Sequence, residues 1–189
     1  MEVLLNKYRS NLIEVFQKAD IQRMNILAES LLEVWQNKKQ VFLCGNGGSA
    51  ANAMHIANDF FYGTAKDFGN GIRVNALSSN QSVLTCLAND VSYDDIFSRQ
   101  LRVLGQAGDM LIALSGSGNS ANIIKAIETA KELDIKTFAI LGYSGGKCLN
   151  LADVPIHFPI DDMQIAEDMQ LIVGHMIMQW LRGKMFFST

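Results

Sequence analysis

The runs Met110-Leu111-Ile112-Ala113-Leu114 and Phe138-Ala139-Ile140-Leu141 are apolar at every position rather than at alternate ones. Such a strand needs cover on both faces, the condition of a parallel sheet flanked by helices. Elsewhere the apolar spacing is helical: Leu5, Tyr8, Leu12, Val15 and Phe16, then Met24, Leu27, Leu31, Leu32 and Trp35. The pattern predicts helix to about Trp35 and strands at 40–44, 72–77, 109–114, 135–141 and 154–158. Helices are predicted at 49–62, near 81–88, and at 92–104, 119–133 and 163–186. This alternation specifies a doubly wound parallel α/β fold with helical additions at each end. Both prolines, Pro155 and Pro159, fall late, and no linker or repeat intervenes. Residues 1–189 therefore read as one domain that includes the helical region 1–36.

Two of the strands run into loops of small residues that open helices. Val41-Phe42-Leu43-Cys44 leads to Gly45-Asn46-Gly47-Gly48-Ser49, and the 110–114 run leads to Ser115-Gly116-Ser117-Gly118-Asn119-Ser120. A helix N-terminus offers unpaired N–H groups and the positive end of a dipole; glycine lets an anion approach, and serine adds donors. One loop is equally well a tight turn with Ser49 as N-cap. Two loops at the carboxyl ends of strands suggest a pocket for a phosphorylated, hydroxyl-rich small molecule. The spacing is not G-x-G-x-x-G, the strand at 72–77 has no acid at its end, and no G-K-[ST] follows. A nucleotide cofactor is therefore not expected.

The chain is 49% hydrophobic with a formal charge of −3, and no basic cluster marks a nucleic-acid surface. Cys44, Cys86 and Cys148 have neither the parity nor the spacing of a disulfide frame or zinc knuckle. The first residues carry no signal-peptide core, and the apolar stretch 171–181 is too short to span a bilayer and is broken by His175 and Gln179. These features predict a reduced, cytoplasmic protein without a membrane partner. The Met169–Leu181 region is apolar most of the way round, which points to burial on several sides and to a helical bundle shared between subunits of a homo-oligomer.

His55 and Asp59, at i and i+4, project from one helix face. Glu167 and His175 sit eight positions apart, offset by roughly 80°, whereas Asp168 is offset from His175 by roughly 20°. Geometry alone does not choose between the two acids. Asp161, Asp162, Glu167 and Asp168 also suit the positive end of a helix. Asn89-Asp90 reads as a cap or as a ligand for sugar hydroxyls, and His157 as structural.

Taken together, Gly45-Asn46-Gly47-Gly48-Ser49-Ala50, Ala53-Met54-His55, Asn89-Asp90, Asp95-Ile96-Phe97-Ser98-Arg99-Gln100 and Ser117-Gly118-Asn119-Ser120-Ala121-Asn122 resemble the phosphoheptose isomerases of the sugar isomerase (SIS) family. The resemblance runs in order through nearly the whole chain. It implies a five-stranded, flavodoxin-like sheet in a homotetramer with sites between subunits. It also implies conversion of sedoheptulose 7-phosphate to D-glycero-D-manno-heptose 7-phosphate through an enediol, the first step towards bacterial surface heptoses of lipopolysaccharide and capsule. On that resemblance Ser115, Gly116, Ser117 and Ser120 hold the phosphate. Asn46, Gly47, Gly48, Ser49, Asn89, Asp90 and Glu167 line the sugar site. Asp59 and His175 are catalytic, as base and proton donor on opposite sides of the pocket. His55, Asp59, Glu167 and His175 are the set through which some members bind zinc.

Three departures from the family pattern stand out. Asp59 replaces a glutamate, Glu167 replaces a glutamine, and Thr64–Gly71 lacks an arginine-rich pattern. The carboxylate of Glu167 either tightens a divalent cation or repels an anionic intermediate. Two rival readings are a non-catalytic sugar-phosphate sensor or partner-binding adaptor, and an isomerase of another ketose phosphate.

Overall fold

The computed structural model describes residues 1–66 and 69–186, so residues 67 and 68 of the Thr64–Gly71 segment lie outside the described residues. Two N-terminal helices, α1 (Glu2–Gln17) and α2 (Ile21–Gln36), precede β1 (Gln40–Cys44), α3 (Gly48–Phe61) and β2 (Arg73–Ala76). Then follow α4 (Gln81–Asp90), α5 (Ser98–Leu104), β3 (Met110–Ser115), α6 (Ala121–Glu132), β4 (Lys136–Leu141), α7 (Cys148–Leu151), β5 (Val154–His157) and α8 (Met163–Phe186). Side chains set several of these boundaries. Asp20 accepts from the N–H groups of Gln22 and Arg23, Asn80 from that of Val83, and Asp162 from those of Gln164 and Ile165, each satisfying orphan donors of a first turn.

The five strands are parallel in the order β2-β1-β3-β4-β5. β3 is buried along its whole length. Its side chains alternate between two cores, as a sheet covered on both faces requires. Met110, Ile112 and Leu114 pack with Leu27 and Leu31 of α2, Ile56 and Phe60 of α3, and Val173 and Ile177 of α8. Leu111 and Ala113 pack with Leu101 of α5 and Ile123 and Ile127 of α6. The strand order reverses between β1 and β3, and Cys44 pairs with Ala113, so both small-residue loops leave the sheet side by side. That is the switch point at which open α/β sheets place ligands.

α1 is the least embedded element, with Val15 its one buried residue. The phenol of Tyr8 fastens it to α8 by donating a short hydrogen bond to the Asp168 carboxylate. Burial and that carboxylate together push the Tyr8 phenol up to about 12.

Three local expectations change. The helix expected at 92–104 is a 3-10 turn at Tyr93–Asp95 followed by α5, because the Ser92 hydroxyl accepts from the Asp94 N–H and starts its own turn. α7 was not foreseen. Gly47, not Ser49, is the N-cap of α3, and Ser49 lies buried inside the helix. Among the described residues no helix is long and apolar enough to cross a membrane.

Candidate active site

α3 and α8 pack side by side on one face of the sheet and run in the same direction, so their contacts form a ladder. At the first rung Gly48 faces Glu167, whose carboxylate occupies the space that any side chain at position 48 would need. Next, Asn52 donates to the Glu167 carbonyl and to Gln170 Oε1, both at 3.0 Å, while Gln170 Nε2 donates to Ser49 Oγ at 3.0 Å. Then Ile56 fills the space beside Gly174, and at the far end Met178 lies against Gly63. Gly48, Asn52, His55 and Asp59 fall on one stripe of α3 because 4, 7 and 11 residues are close to whole numbers of turns.

His55, Asp59 and His175 meet near the far end of this seam. The two imidazole Nε2 atoms stand 2.9 Å apart, and Asp59 Oδ2 is 3.6 Å from His55 Nε2 and 3.5 Å from His175 Nε2. The rings cross edge to face. Among the described residues these three form a group able to hold a metal ion, with their ligand atoms within 4.8 Å of one another. A tetrahedral site with metal–ligand distances near 2 Å has ligand atoms about 3.3 Å apart, and the observed triangle brackets that spacing. Two imidazoles, one carboxylate and an open side suit a borderline cation.

Two expectations are corrected by the ladder. Glu167 does not belong to the metal-competent group. An angular offset leaves out the rise along the helix, and eight residues separate positions 167 and 175 by about 12 Å. Asp59 and His175 do not stand on opposite sides of a pocket in this chain; they are near neighbours at 3.5 Å.

At the near end lies a cleft of about 250 Å³ lined by Asn46, Gly47, Gly48, Ser49, Leu114, Ser115, Gly116, Ser117, Ser120, Met163 and Glu167. Nine of these were singled out from the sequence. The cleft is rich in uncommitted donors. Ser49 Oγ accepts from Gln170, Ser115 Oγ from the Gly118 N–H and Ser117 Oγ from the Asn119 N–H. A hydroxyl that accepts still has its own proton to give. Ser120 stands at the N-cap of α6 without capping it, and Gly47 at that of α3 offers no side chain, so both helix termini keep free N–H groups. Such an arrangement can hold an anion.

Asn89 and Asp90 lie outside this lining. They end α4, where the Asn89 amide and the Cys86 thiol donate to the Asp90 carboxylate and hold it below its ordinary range. Ser92, not this pair, caps the turn that follows. His157 is structural as expected, its Nε2–H donating to the Tyr143 carbonyl. The sequence reading missed Asn122 and Tyr93, which hold the Asn46 amide in place. Asn46 and Asn122 exchange two hydrogen bonds of 2.8 Å, and the Tyr93 hydroxyl donates to Asn46 Oδ1.

It also missed Asn52 and Gln170. Gln170 is fully buried, and that amide among Ala166, Met169, Val173 and Ile177 signals a partner across the seam. Replacing Gln170 by alanine strands Ser49 and Asn52. It should cost about 1–3 kcal/mol, to be read in denaturant unfolding, with a change in m of less than a tenth.

The family model for the SIS domain matches residues 6–142. The phosphoheptose isomerase of Clostridium acetobutylicum is 38% identical over 166 residues, covering 88% of this chain and 84% of that protein. That of Aneurinibacillus thermoaerophilus is 42% identical over 154 residues, 80% of this chain and 76% of that protein. The structure of phosphoheptose isomerase GmhA from Neisseria gonorrhoeae superposes with a TM-score of 0.87 at 31% identity, over 95% of this chain and 97% of that one. Both site-bearing loops and four of the five strands fall inside the stretch that the family model matches, and the chain belongs to the SIS domain family.

Proposed function

We propose that the chain is a phosphoheptose isomerase that converts sedoheptulose 7-phosphate to D-glycero-D-manno-heptose 7-phosphate. The carrying observation is the length of the seam. From Gly48, at the anion cleft, to His55 is seven residues, about 10 Å of helix on the same face. An extended seven-carbon chain with a terminal phosphate also spans about 10 Å, at roughly 1.3 Å of advance per bond. A phosphate on the Ser115–Ser120 loop thus brings the carbonyl end to Asp59 and His175. The family relationship and the names of the relatives point the same way.

The chemistry follows from those residues. Asp59 takes the proton from C1 of the ketose and returns it to C2. His175 Nε2 exchanges protons with the oxygens of C1 and C2 while the enediol lasts, and His55 Nε2, at 2.9 Å, fixes the orientation of that imidazole. The same three residues would hold a divalent cation, zinc fitting the donor set, which when bound supplies polarisation of the carbonyl. The site acts as one unit of residues 1–189. The assembly proposed is a cytoplasmic homotetramer, supported by the apolar residues that α1 leaves in solvent, Val3, Leu4, Leu5, Ile13 and Phe16, and by three free cysteines.

The test is ¹H NMR of the purified chain with sedoheptulose 7-phosphate, with added zinc and after chelation. Appearance of the aldoheptose 7-phosphate is expected, with at least tenfold slower conversion after chelation and recovery on adding zinc. Equal rates in both would confine the triangle to acid–base work. Ligand binding without conversion would favour the sensor reading instead.

A further inference from the structure

Ser49 is buried in the first turn of α3 and still lines the cleft. What its hydroxyl offers there is decided behind it, by Asn52 and Gln170. A carbonyl oxygen only accepts, so the nitrogen of the Asn52 side chain is the atom that faces the main-chain carbonyl of residue 167, at 3.0 Å. The same nitrogen meets Gln170 at 3.0 Å, which obliges Gln170 to turn its oxygen towards Asn52 and its nitrogen towards Ser49. Turning the Gln170 amide over would set two N–H groups against each other. Gln170 is fully buried, where a mispaired polar group is costly. Ser49 Oγ therefore accepts from Gln170 at 3.0 Å and keeps its own proton, for which the described residues supply no acceptor. Ser115 and Ser117 are set in the same sense by the main-chain N–H groups of Gly118 and Asn119. At Ser49, inside a helix, a side chain from α8 does this instead.

We propose that Asn52 and Gln170 are positioning residues that fix the Ser49 hydroxyl as a donor to a phosphate oxygen in the cleft. The inference rests on the reading of this cleft as the phosphate site, not on the isomerase chemistry. Neither amide touches the ligand. Each sets the next, and the line of polarity starts from a main-chain carbonyl of α8. A serine without such a neighbour can turn its lone pairs to an anion as well as its proton. A hydrogen bond to a charged group changes affinity by about tenfold or more, so the direction in which this one hydroxyl points is measurable.

Calorimetric titration of the chain with inorganic phosphate, in double-mutant cycles with Ser49→Ala, tests this without turnover. Gln170→Met keeps the length of the side chain but leaves the hydroxyl free to rotate, and should weaken phosphate binding by roughly three- to tenfold. Asn52→Asp leaves position 170 intact and puts acceptors where the amide nitrogen stood. Gln170 then turns over, its oxygen faces Ser49, and the hydroxyl proton is drawn inward; phosphate binding should weaken by about tenfold or more. In the Ser49→Ala chain each substitution should change phosphate affinity by less than about twofold. A purely structural part for the two amides, or repulsion by the new charge at position 52, would give the same loss whether or not Ser49 is present. Equal losses in the two backgrounds would therefore overturn the proposal, as would phosphate binding within twofold of wild type in both single variants. If the wild type binds phosphate and the cycles are additive, the positioning role falls and the reading of the cleft stands. If the wild type binds no phosphate, both fall.

Discussion

Replacing Asp59 by asparagine, or His175 by alanine, should each lower kcat by roughly 10²–10⁴-fold, the range associated with losing a positioned acid or base. Both side chains belong to one triangle of 3.6 Å or less, so the two losses should not add; the double variant should be little worse than the weaker single one. Substrate affinity should move much less. On the proposed reading the phosphate is held at the other end of the α3–α8 seam, by hydroxyls and helix termini that neither substitution touches. Steady-state kinetics combined with direct titration of sedoheptulose 7-phosphate separates the two quantities. Near wild-type kcat in either variant would remove that residue from the chemistry.

Gly118→Ala should be the most damaging conservative change at the anion cleft. Gly118 sits at φ +65°, in the left-handed region, and a Cβ there would be driven into the Gly145 carbonyl. Its N–H donates to Ser115 Oγ and its carbonyl accepts from the Cys148 N–H, so the loop cannot shift without breaking both. The left-handed conformation costs an L-residue about 1–2 kcal/mol and the displaced contacts add a similar amount. For a chain of this size a total of about 3 kcal/mol lowers Tm by roughly 6–12 °C, and phosphate affinity should fall with it. Gly183 is the matched control: it lies within α8 with nothing within 4 Å of an added Cβ. Alanine there should stabilise by about 0.5–1 kcal/mol, since glycine is a poor helix former. Equal melting temperatures for the two variants would contradict the account of the loop.

The sheet was legible because parallel strands covered on both faces have no polar alternation to obscure them; β3 and β4 are the plainest cases. The loops after β1 and β3 were legible as a pair: either alone reads equally well as a tight turn, but both leave the carboxyl ends of apolar strands and open helices. What escaped was mostly a matter of partners. The apolar stretch of α8 could be read from its pattern, but the role of Gln170, just before that stretch, could not. Its meaning depends on Ser49 and Asn52, 121 and 118 positions away. α7 has four residues and no periodicity to detect. The structure brings His55, Asp59 and His175 together and sets the Glu167 carboxylate against Gly48, a placement that an angle around the helix could not reveal because it leaves out the rise.

The central claim is that Asp59 moves a proton between C1 and C2 of a ketose phosphate held by its phosphate at the cleft end of the α3–α8 seam. It is tested most directly by running the reaction with sedoheptulose 7-phosphate in D₂O and following C1 and C2 by NMR, for the wild type and Asp59→Asn. A base that exchanges its proton with solvent should leave deuterium at C2 of the aldoheptose product and in recovered ketose at C1, and the variant should show neither. Product formed without any solvent deuterium at C2, or label incorporated equally fast by Asp59→Asn, would contradict the account.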